Sequence, residues 1–464
     1  MSGLFGLLET TKLTIFAQEM SLGVINHNIA NASTPGYHRQ RVALSARGSL
    51  VGLGGTFGGG VNIEGIERLG DRFLSSQLGR VSANRAEQSA LADSFSVIET
   101  IFGEPADDTY GETGLGDAID AFLNAWQPVV NPEMNAEDAD TRGLILEAAN
   151  TIAHRFRDTA SALQSEAASL RERVAVGVRE VNALLGEVAE LNLALSSGSL
   201  NDSARADFED TREVKLQQLS ALIGADWQVD GEGKLRVYSG GRVLVDHVSA
   251  HALTTEAIEG EAGVGGLRLL PTGSRDTMTL AGGELKGLLA MLDNELPEVL
   301  SRLDALATRL IERVNAIHQA ATGDGGGGID IFSGNSASSI AVNPALLAHP
   351  EQISLTGKLP DGQDIAAAIF ALHTESIESA GGLTLGGLYS GLIGHLGSRS
   401  ASSGQLAQAA ERLEAGLSQK LESSVGVSID EEMAQMLVVQ TTYQAAAKVI
   451  TAVEEMLDVL MTAL

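Results

Sequence analysis

A glycine-rich stretch that ends in an aspartate is the first candidate for chemistry in this sequence. Gly325 to Phe332 reads GGGGIDIF, which fits one copy of the Gly-Gly-x-Gly-x-Asp repeat that binds calcium in β-rolls. Such sites need stacked neighbouring turns, and the sequence holds a single copy. Gly323, Gly325 and Gly328 also have the spacing of a dinucleotide-binding loop, but they follow a predicted helix instead of a strand. The stretch is therefore interpreted as a loop without a cofactor.

Two further groups have side chains that could bind a metal or move a proton. His247 and His251 are four residues apart in a predicted strand and loop, without a third ligand nearby in the sequence. Asp430, Glu431 and Glu432 stand where a helix is predicted to begin, and carboxylates there interact favourably with the helix dipole. The sequence contains no nucleophile elbow, phosphate loop or zinc-protease signature. It therefore predicts no enzyme, no metal site and no cofactor.

The composition limits the partners that this chain can have. Its 464 residues carry 31 basic and 60 acidic side chains, a net charge of −29, which disfavours nucleic acid and anionic lipid. There are no cysteines, so disulfides are excluded. Met1 to Phe5 shows no basic segment followed by an apolar core, and no apolar run is long enough for a membrane span. We expect neither nucleic-acid binding nor membrane insertion, and if the protein leaves the cell, we expect a route that does not read a cleaved signal.

Apolar residues recur every three or four positions at both ends of the chain, which is the pattern of coiled-coil helices. The N-terminal seam is broken by Thr11 and Gln18, and the C-terminal seam reaches the last residue. The N-terminal seam comprises Leu4, Leu8, Ile15, Leu22, Ile25 and Ile29. The C-terminal seam comprises Met436, Val439, Tyr443, Ala446, Ile450, Val453, Leu457, Leu460 and Leu464.

The N-terminal helix is predicted to stop in the string NIANASTPGY, Asn28 to Tyr37. Pro35 cannot continue a helix, and Asn31 and Gly36 favour turns. Asn28, Asn31, Pro35, Gly36 and Tyr37 are therefore interpreted as a hinge between the first helix and the rest of the chain.

The periodicity along the chain predicts a multidomain, mainly α protein: a long helical bundle with paired N- and C-terminal coiled-coil helices, and a smaller inserted β-rich domain. A kink or restart is expected at Pro297, and a helix over about 402–422. The predicted segments are a terminal helix at 1–36 that pairs with 428–464, a helical bundle at 37–224 with a β or loop excursion at 47–66, a β-rich domain at 225–283, a returning helix at 284–322, a loop-rich segment at 323–400 and C-terminal helices at 401–464.

A helix with one apolar stripe must bury that stripe against a partner. The two terminal seams have matching periodicity, so the simplest arrangement is that they pack against each other. They could form a helical hairpin that closes a monomer, or they could also pack against neighbouring copies. The seam that continues to Leu464 favours the second interpretation, because chain ends in monomers usually fray.

The two end motifs resemble those of the axial proteins of the bacterial flagellum, which are the rod, hook and hook-associated proteins. The string Asn28 to Tyr37 is preceded here by His27 where the family usually has Asn. GVSIDEEMAQMLVVQTTYQAAAKVITAVEEMLDVLM, Gly426 to Met461, is similar to the closing helix of that family. Gly58 to Leu78 and Asp207 to Val229 are similar to segments of its hook-associated members.

The resemblance implies a structural protein that joins hook to filament, and alternatives are a hook or distal rod component or, less favoured, an axial wall-hydrolysing enzyme. It also implies secretion through the type III export apparatus to the extracellular flagellum. Implied partners are further copies of the chain, the hook protein, a second junction protein, and an export chaperone that binds the C-terminal helix.

Overall fold

The computed structural model describes residues 2–48, 50–52, 55–103, 114–130, 139–230, 234–258, 265–322, 328–376 and 382–462. The chain is mainly α-helical with small antiparallel sheets, so the predicted fold class is confirmed. It divides into two compact units. The first unit comprises 1–84, 181–252 and 410–464, and the second comprises 85–180 and 253–409.

The helices carry most of the chain. They are α1 (Ser2–Asn31), α2 (Arg72–Phe102), α3 (Leu115–Asn124), α4 (Gln127–Val130), α5 (Ala139–Ser196), α6 (Asp202–Ile223), α7 (Glu284–Ala290), α8 (Leu296–Ala320), α9 (Pro344–Ala348), α10 (Ile365–Ala371), α11 (Leu385–Val425) and α12 (Ile429–Thr462).

The strands are short and pair antiparallel with their neighbours in sequence, except that the first pairs with the fourth and the two enclose the second and the third. They are β1 (Gln40–Ala46), β2 (Leu50–Gly52), β3 (Gly55–Phe57), β4 (Val61–Arg68), β5 (Asp226–Val229), β6 (Leu235–Ser239), β7 (Arg242–Asp246), β8 (Ser249–Ala250), β9 (Leu253–Ala257), β10 (Leu267–Pro271), β11 (Phe332–Ser333) and β12 (Ala341–Val342).

In the first unit, α1 packs along α12 and is followed by the β1–β4 hairpin. The excursion expected at 47–66 is longer than predicted, because pairing already begins at Gln40, which lies opposite Arg68. The polar residues Gln40 and Arg41 hid this start from the hydrophobic pattern. The hairpin matters for function because it returns the chain from α1 to α2.

A four-stranded sheet, β5 to β8, follows α6 in the first unit. The helix ends at Gly224, whose φ of 62° is left-handed and whose amide donates to Ser220 O, so the chain can turn directly into β5. Leu235 and Val237 of β6 alternate inward and are buried. The hydroxyl of buried Ser239 donates to Ile223 O at 2.6 Å and holds the sheet against the helix end.

The β-rich segment expected at 225–283 is not one sheet. The four-stranded sheet ends at Ala250, and β9 pairs only with β10, in the second unit. Likewise, the bundle expected at 37–224 is divided between the two units at Asn84 and Val181. A period of two or of three to four predicts strands and helices, but it does not say which neighbours they pack against.

The core of the second unit forms around α8. Its seam is buried throughout, and Phe122 meets Phe332 edge to face with ring centroids 5.3 Å apart. The restart expected at Pro297 is present as a π-helical turn, Met291–Glu295, immediately before α8. The buried seam of α8 is Leu296, Val299, Leu300, Leu303, Leu306, Ala307, Leu310, Ile311, Val314 and Ile317.

The helix predicted to start near residue 402 starts at Leu385, inside the segment predicted to be loop-rich. The hydroxyl of Thr384 caps it by accepting from Gly387 N at 2.9 Å. Glycines lower helix propensity by about 1 kcal/mol each relative to alanine. Burial of Leu385, Leu392 and Leu396 at helical spacing offsets that preference.

Candidate interaction surface of the paired terminal helices

Helix α12 packs along α1, and its buried apolar residues belong to the predicted C-terminal seam. Val439, Ala446 and Val453 are buried, and Met436, Ile450 and Leu457 are partly buried. Tyr443 is 39% exposed. The side chains of Leu460 and Leu464 lie outside the described residues. The structure thus places the described seam residues in one line along the helix.

The N-terminal seam is less well covered. Ile25 is buried, and Leu4, Leu8, Ile15, Leu22 and Ile29 are partly buried. Thr11, one of the two polar breaks, is also buried, and its hydroxyl donates to Leu7 O at 2.8 Å. The hydroxyl therefore needs no partner outside its own helix.

A second apolar line on α12 remains exposed, and the seam analysis missed it. We call it the outer stripe, because none of its members is buried in the first unit. Val438, Met456 and Val459 are 57%, 46% and 68% exposed. The outer stripe comprises the apolar residues Ala434, Val438, Ala445, Val449, Ala452, Met456 and Val459, with Thr441 as one polar member. Its spacing of three and four residues was present in the sequence, but the stronger seam beside it obscured the signal.

The string after α1 is a hydrogen-bonded turn built around the buried Asn28. Oδ1 of Asn28 accepts from the Tyr37 hydroxyl at 2.8 Å and from Gln40 N at 3.0 Å. Nδ2 of Asn28 donates to Gln40 O at 2.9 Å. Burial, then the carboxylates of Asp207, Asp210 and Glu432, raise the pKa of Tyr37, so its hydroxyl remains a donor.

Pro35 and Gly36 form the centre of this turn. Tyr37 N donates to Thr34 O at 3.1 Å, and Gly36 has a φ of 77°, which together describe a type II turn. A Cβ at position 36 would lie 2.3 Å from Cγ2 of Val214. Asn31 donates to His27 O at 3.0 Å and closes the last turn of α1. These residues therefore fix the path of the chain, and their role as a hinge remains a prediction.

A buried cluster of charges follows the turn. Arg68 Nε lies 2.6 Å from Oδ1 of Asp210, and its Nη2 donates to Glu213. His38 Nδ1 lies 2.7 Å from the same Asp210 oxygen, and His38 N donates to Oδ2 at 3.1 Å. Burial alone would lower the pKa of Arg68, but Glu213 and Asp210 outweigh it and raise that pKa. The cluster joins α6 to the hairpin, and no local pattern predicts it, since its members are far apart in sequence.

The start of α12 is tied to the same loop through Arg39. Arg39 N donates to Val425 O at 2.8 Å, and its guanidinium pairs with Glu431 at 2.9 Å and with Glu432 at 2.6 Å. The acidic cluster lies in the first turn of α12, where it was predicted to interact with the helix dipole. The structure adds a second role for Glu432, which is only 1% exposed and pairs with a cation from the other end of the chain.

The remaining candidates show no arrangement for chemistry. Within the described ranges, no group of three His, Cys, Asp or Glu residues is placed to hold a metal ion. His247 lies 3.5 Å from Asp246, its neighbour in sequence. Residues 323–327 of the glycine-rich stretch lie outside the described part of the chain, and the carboxylate of Asp330 already accepts from Gln319. None of the described helices is long and apolar enough to cross a membrane.

Comparison with known proteins identifies the family. Residues 95–332, just over half of the chain, match the model of the flagellar hook-associated protein FlgK helical domain. Residues 418–463 match the flagellar basal body rod FlgEFG protein C-terminal model.

The matching relatives carry the name flagellar hook-associated protein 1. The protein from Bacillus subtilis strain 168 is 24% identical over 99% of this chain and 98% of its own length. The protein from Salmonella typhimurium is 25% identical over 77% of this chain and 64% of its own length, so this chain spans slightly less than two thirds of that relative.

A solved structure has the same fold. The flagellar hook junction protein FlgK from Burkholderia pseudomallei superposes with a TM-score of 0.60 at 16% identity, over 75% of this chain and all of that one. With the helical-domain match, the long terminal helices and the small inserted sheets, this places the chain in the family of flagellar hook-associated protein FlgK.

Proposed function

We propose that this chain joins the hook to the filament of the bacterial flagellum, and that copies assemble through its paired terminal helices. Family membership makes it a structural component of the flagellum. The names of its relatives, a hook-associated protein and a hook junction protein, support the position between hook and filament.

The observation that carries the assembly mechanism is the outer stripe. The seam residues of α1 and α12 cover one another, whereas the outer stripe presents Val438, Met456 and Val459 to solvent along one line. Large apolar patches that remain exposed usually mark interaction surfaces. Burial against another copy would stabilise the contact by roughly 25 cal/mol per Å² of apolar surface.

The two sets of residues therefore have different proposed roles. The seam, from Leu4 to Ile29 on α1 and from Met436 to Leu457 on α12, holds the two ends of one chain together. The outer stripe meets neighbouring copies. The turn at Asn28 and the Arg39 ion pairs support this arrangement by fixing both helices to the same loop.

The same proposal includes partners and a route of export. The hook protein and a second junction protein would lie on either side of this chain in the axial structure. The exposed line on α12 is also a suitable surface for an export chaperone, because a soluble subunit would otherwise expose it before assembly. Export would use the type III apparatus and deliver the chain to the extracellular flagellum.

A hook or distal rod component is the second candidate, since residues 418–463 match a model named for rod proteins. The match of residues 95–332 to the hook-associated helical domain favours the junction. Cells that lack this chain discriminate between the two, because loss of a junction protein leaves complete hooks and loss of a hook or rod protein does not.

The mechanism is tested by placing charges on the outer stripe. We expect Val438→Asp with Met456→Asp to leave helix content and thermal stability unchanged in the isolated chain, because both side chains are exposed. In cells of the source bacterium that carry only this variant, electron microscopy should show hooks without filaments. The matched control is Gln440→Asp with Gln444→Asp, on another exposed line of α12, which should support filaments. Normal filaments with the first variant would exclude the outer stripe as an assembly surface.

A further inference from the structure

A cavity of about 710 Å³ lies in the first unit, between α5, α6 and the four-stranded sheet. Its volume is within the range of small-molecule sites, roughly 300–1,000 Å³. Apolar walls come from Leu195, Leu216, Trp227 and Val229. None of the seam or outer-stripe residues lines this cavity, so the cavity is separate from the interaction surface of the terminal helices.

The charge in this cavity is opposite to that of the whole chain. Arg68, Arg72, Arg205, Arg212 and Lys234 line it, together with the two carboxylates Glu209 and Glu213. Both carboxylates already have partners: Glu213 binds Arg68, and Glu209 lies 3.5 Å from Arg205. In a protein with a net charge of −29, a concave surface with this excess of cations is the exception.

Arg212 is the cavity residue whose charge and hydrogen-bond donors are least satisfied. Among the described residues, its guanidinium forms no ion pair and donates one hydrogen bond, from Nη1 to Oδ1 of Asn192 at 2.9 Å. A guanidinium has five N–H donors, so most of its capacity is unused. Burial lowers the pKa of Arg212, and so do Arg68, Arg205 and Arg72, while Glu209 raises it. An unpaired cation in such surroundings costs stability unless an anion compensates.

The surrounding structure holds Arg212 in place. Asn192 is buried, accepts from Arg212, and donates through Nδ2 to His247 O at 2.6 Å. His247 has a φ of 57°, a left-handed conformation that no other described non-glycine residue adopts. Backbone strain of this kind persists where other contacts enforce it and is concentrated at binding sites. The hydrogen bonds from Arg212 to Asn192 and from Asn192 to His247 O therefore hold the guanidinium of Arg212 in place, and the second of them ends in a strained turn at the cavity wall.

We propose that this cavity is a binding site for a small polyvalent oxyanion, such as a phosphate or a di- or tricarboxylate. Arg212 and Arg72 supply the charge that has no partner within the described chain, and the exposed Arg205 and Lys234 stand at the entrance. A free ion reaches the partly buried Arg212 more readily than a carboxylate that is tethered to another chain. The proposal is independent of the role of the terminal helices.

The test is calorimetric titration of the full chain with inorganic phosphate at constant ionic strength, with chloride as the monovalent control. We expect a saturable heat for phosphate, none for chloride, and a thermal midpoint that rises with phosphate concentration. Arg212→Met should weaken phosphate binding about tenfold or more, because it removes a charge-assisted donor pair. Arg72→Met, at an exposed position where folding is not affected, should also weaken it several-fold.

Arg41→Met is the matched control, since Arg41 is an exposed cation outside the cavity. It should bind phosphate like the unmodified chain. Equal binding by all three variants, or the absence of saturable heat, would overturn the proposal. Self-association that phosphate reverses and Arg212→Met abolishes would overturn it too, because the occupant would then be an acidic surface of a second copy.

Discussion

Nε of Arg39 lies 2.6 Å from Oε1 of Glu432, which joins the chain leaving α1 to the first turn of α12. The contact is an ion pair whose geometry leaves Oε1 of Glu432 without a hydrogen bond from the described residues. Glu432 is buried and Arg39 is partly exposed. The ion pair therefore fixes the register in which the two terminal helices pack.

Removal of Arg39 should loosen α12. Arg39→Met leaves a buried carboxylate without its cation, and we expect a loss of about 2–3 kcal/mol, below the value for fully buried pairs because Arg39 is partly solvated. Faster hydrogen exchange in the first turns of α12 would measure it. Adding Glu432→Gln should restore part of the loss, as a double-mutant cycle would show.

Arg41→Met, in an exposed pair with Glu67, should change stability by less than about 0.5 kcal/mol. Equal exchange in the Arg39 variant and this control would contradict the role of the pair.

Asn28 should be the residue on which the turn after α1 depends most. Asn28→Ala leaves the backbone of Gln40 and the hydroxyl of Tyr37 without partners, so we expect about 3 kcal/mol of destabilisation. Tyr37→Phe removes one of these bonds and should cost about 1 kcal/mol. Urea unfolding measures both. Asn26→Ala, at an exposed position on the same helix, should have no such effect, and a similar loss there would refute the assignment.

Gly36 should not tolerate a side chain while Val214 is present. Gly36→Ala places a Cβ against Cγ2 of Val214 and forces alanine into a left-handed conformation, so we expect about 2–3 kcal/mol of destabilisation. Val214→Ala relieves the clash but not the φ, so the double variant should unfold at a higher temperature than Gly36→Ala alone. Strictly additive losses would mean that the close approach does not limit this turn.

Asp293 should weaken the second unit at neutral pH. Desolvation of the carboxyl group by neighbouring atoms raises the pKa of Asp293, although the residue keeps solvent exposure and the hydrogen bond from Leu267 N lowers that pKa. The native state then binds the proton more tightly than the unfolded state, so this group adds stability as the pH falls from its raised native pKa towards the ordinary value of 3.8.

Asp293→Asn should therefore be more stable than the unmodified chain at neutral pH and should lose this part of the pH dependence. Thermal midpoints across the acidic range measure the effect. Asp93→Asn, which removes an exposed charge from the second unit, is the control. If both variants have the same pH profile, desolvation of the Asp293 carboxyl is not the cause.

The local elements and the family were predictable from the sequence. Residues close together in the chain produce the seams at both ends, the break at Pro35 and Gly36, and the restart at Pro297. Their helical periodicity and their turn-forming residues can be recognised without knowing which distant elements they contact. The end motifs were also sufficient to indicate the flagellar axial proteins.

The tertiary structure decided which elements meet. Arg39 and Glu432, and Arg68 and Asp210, are separated by more than a hundred residues, so no local period indicates their pairing. The early start of α11 at Leu385 and the division of the strands between two units have the same cause, because burial against distant elements outweighs glycine's low helix propensity and selects strand partners. The outer stripe became visible only when the structure placed the stronger seam against α1 and left the other face of α12 exposed.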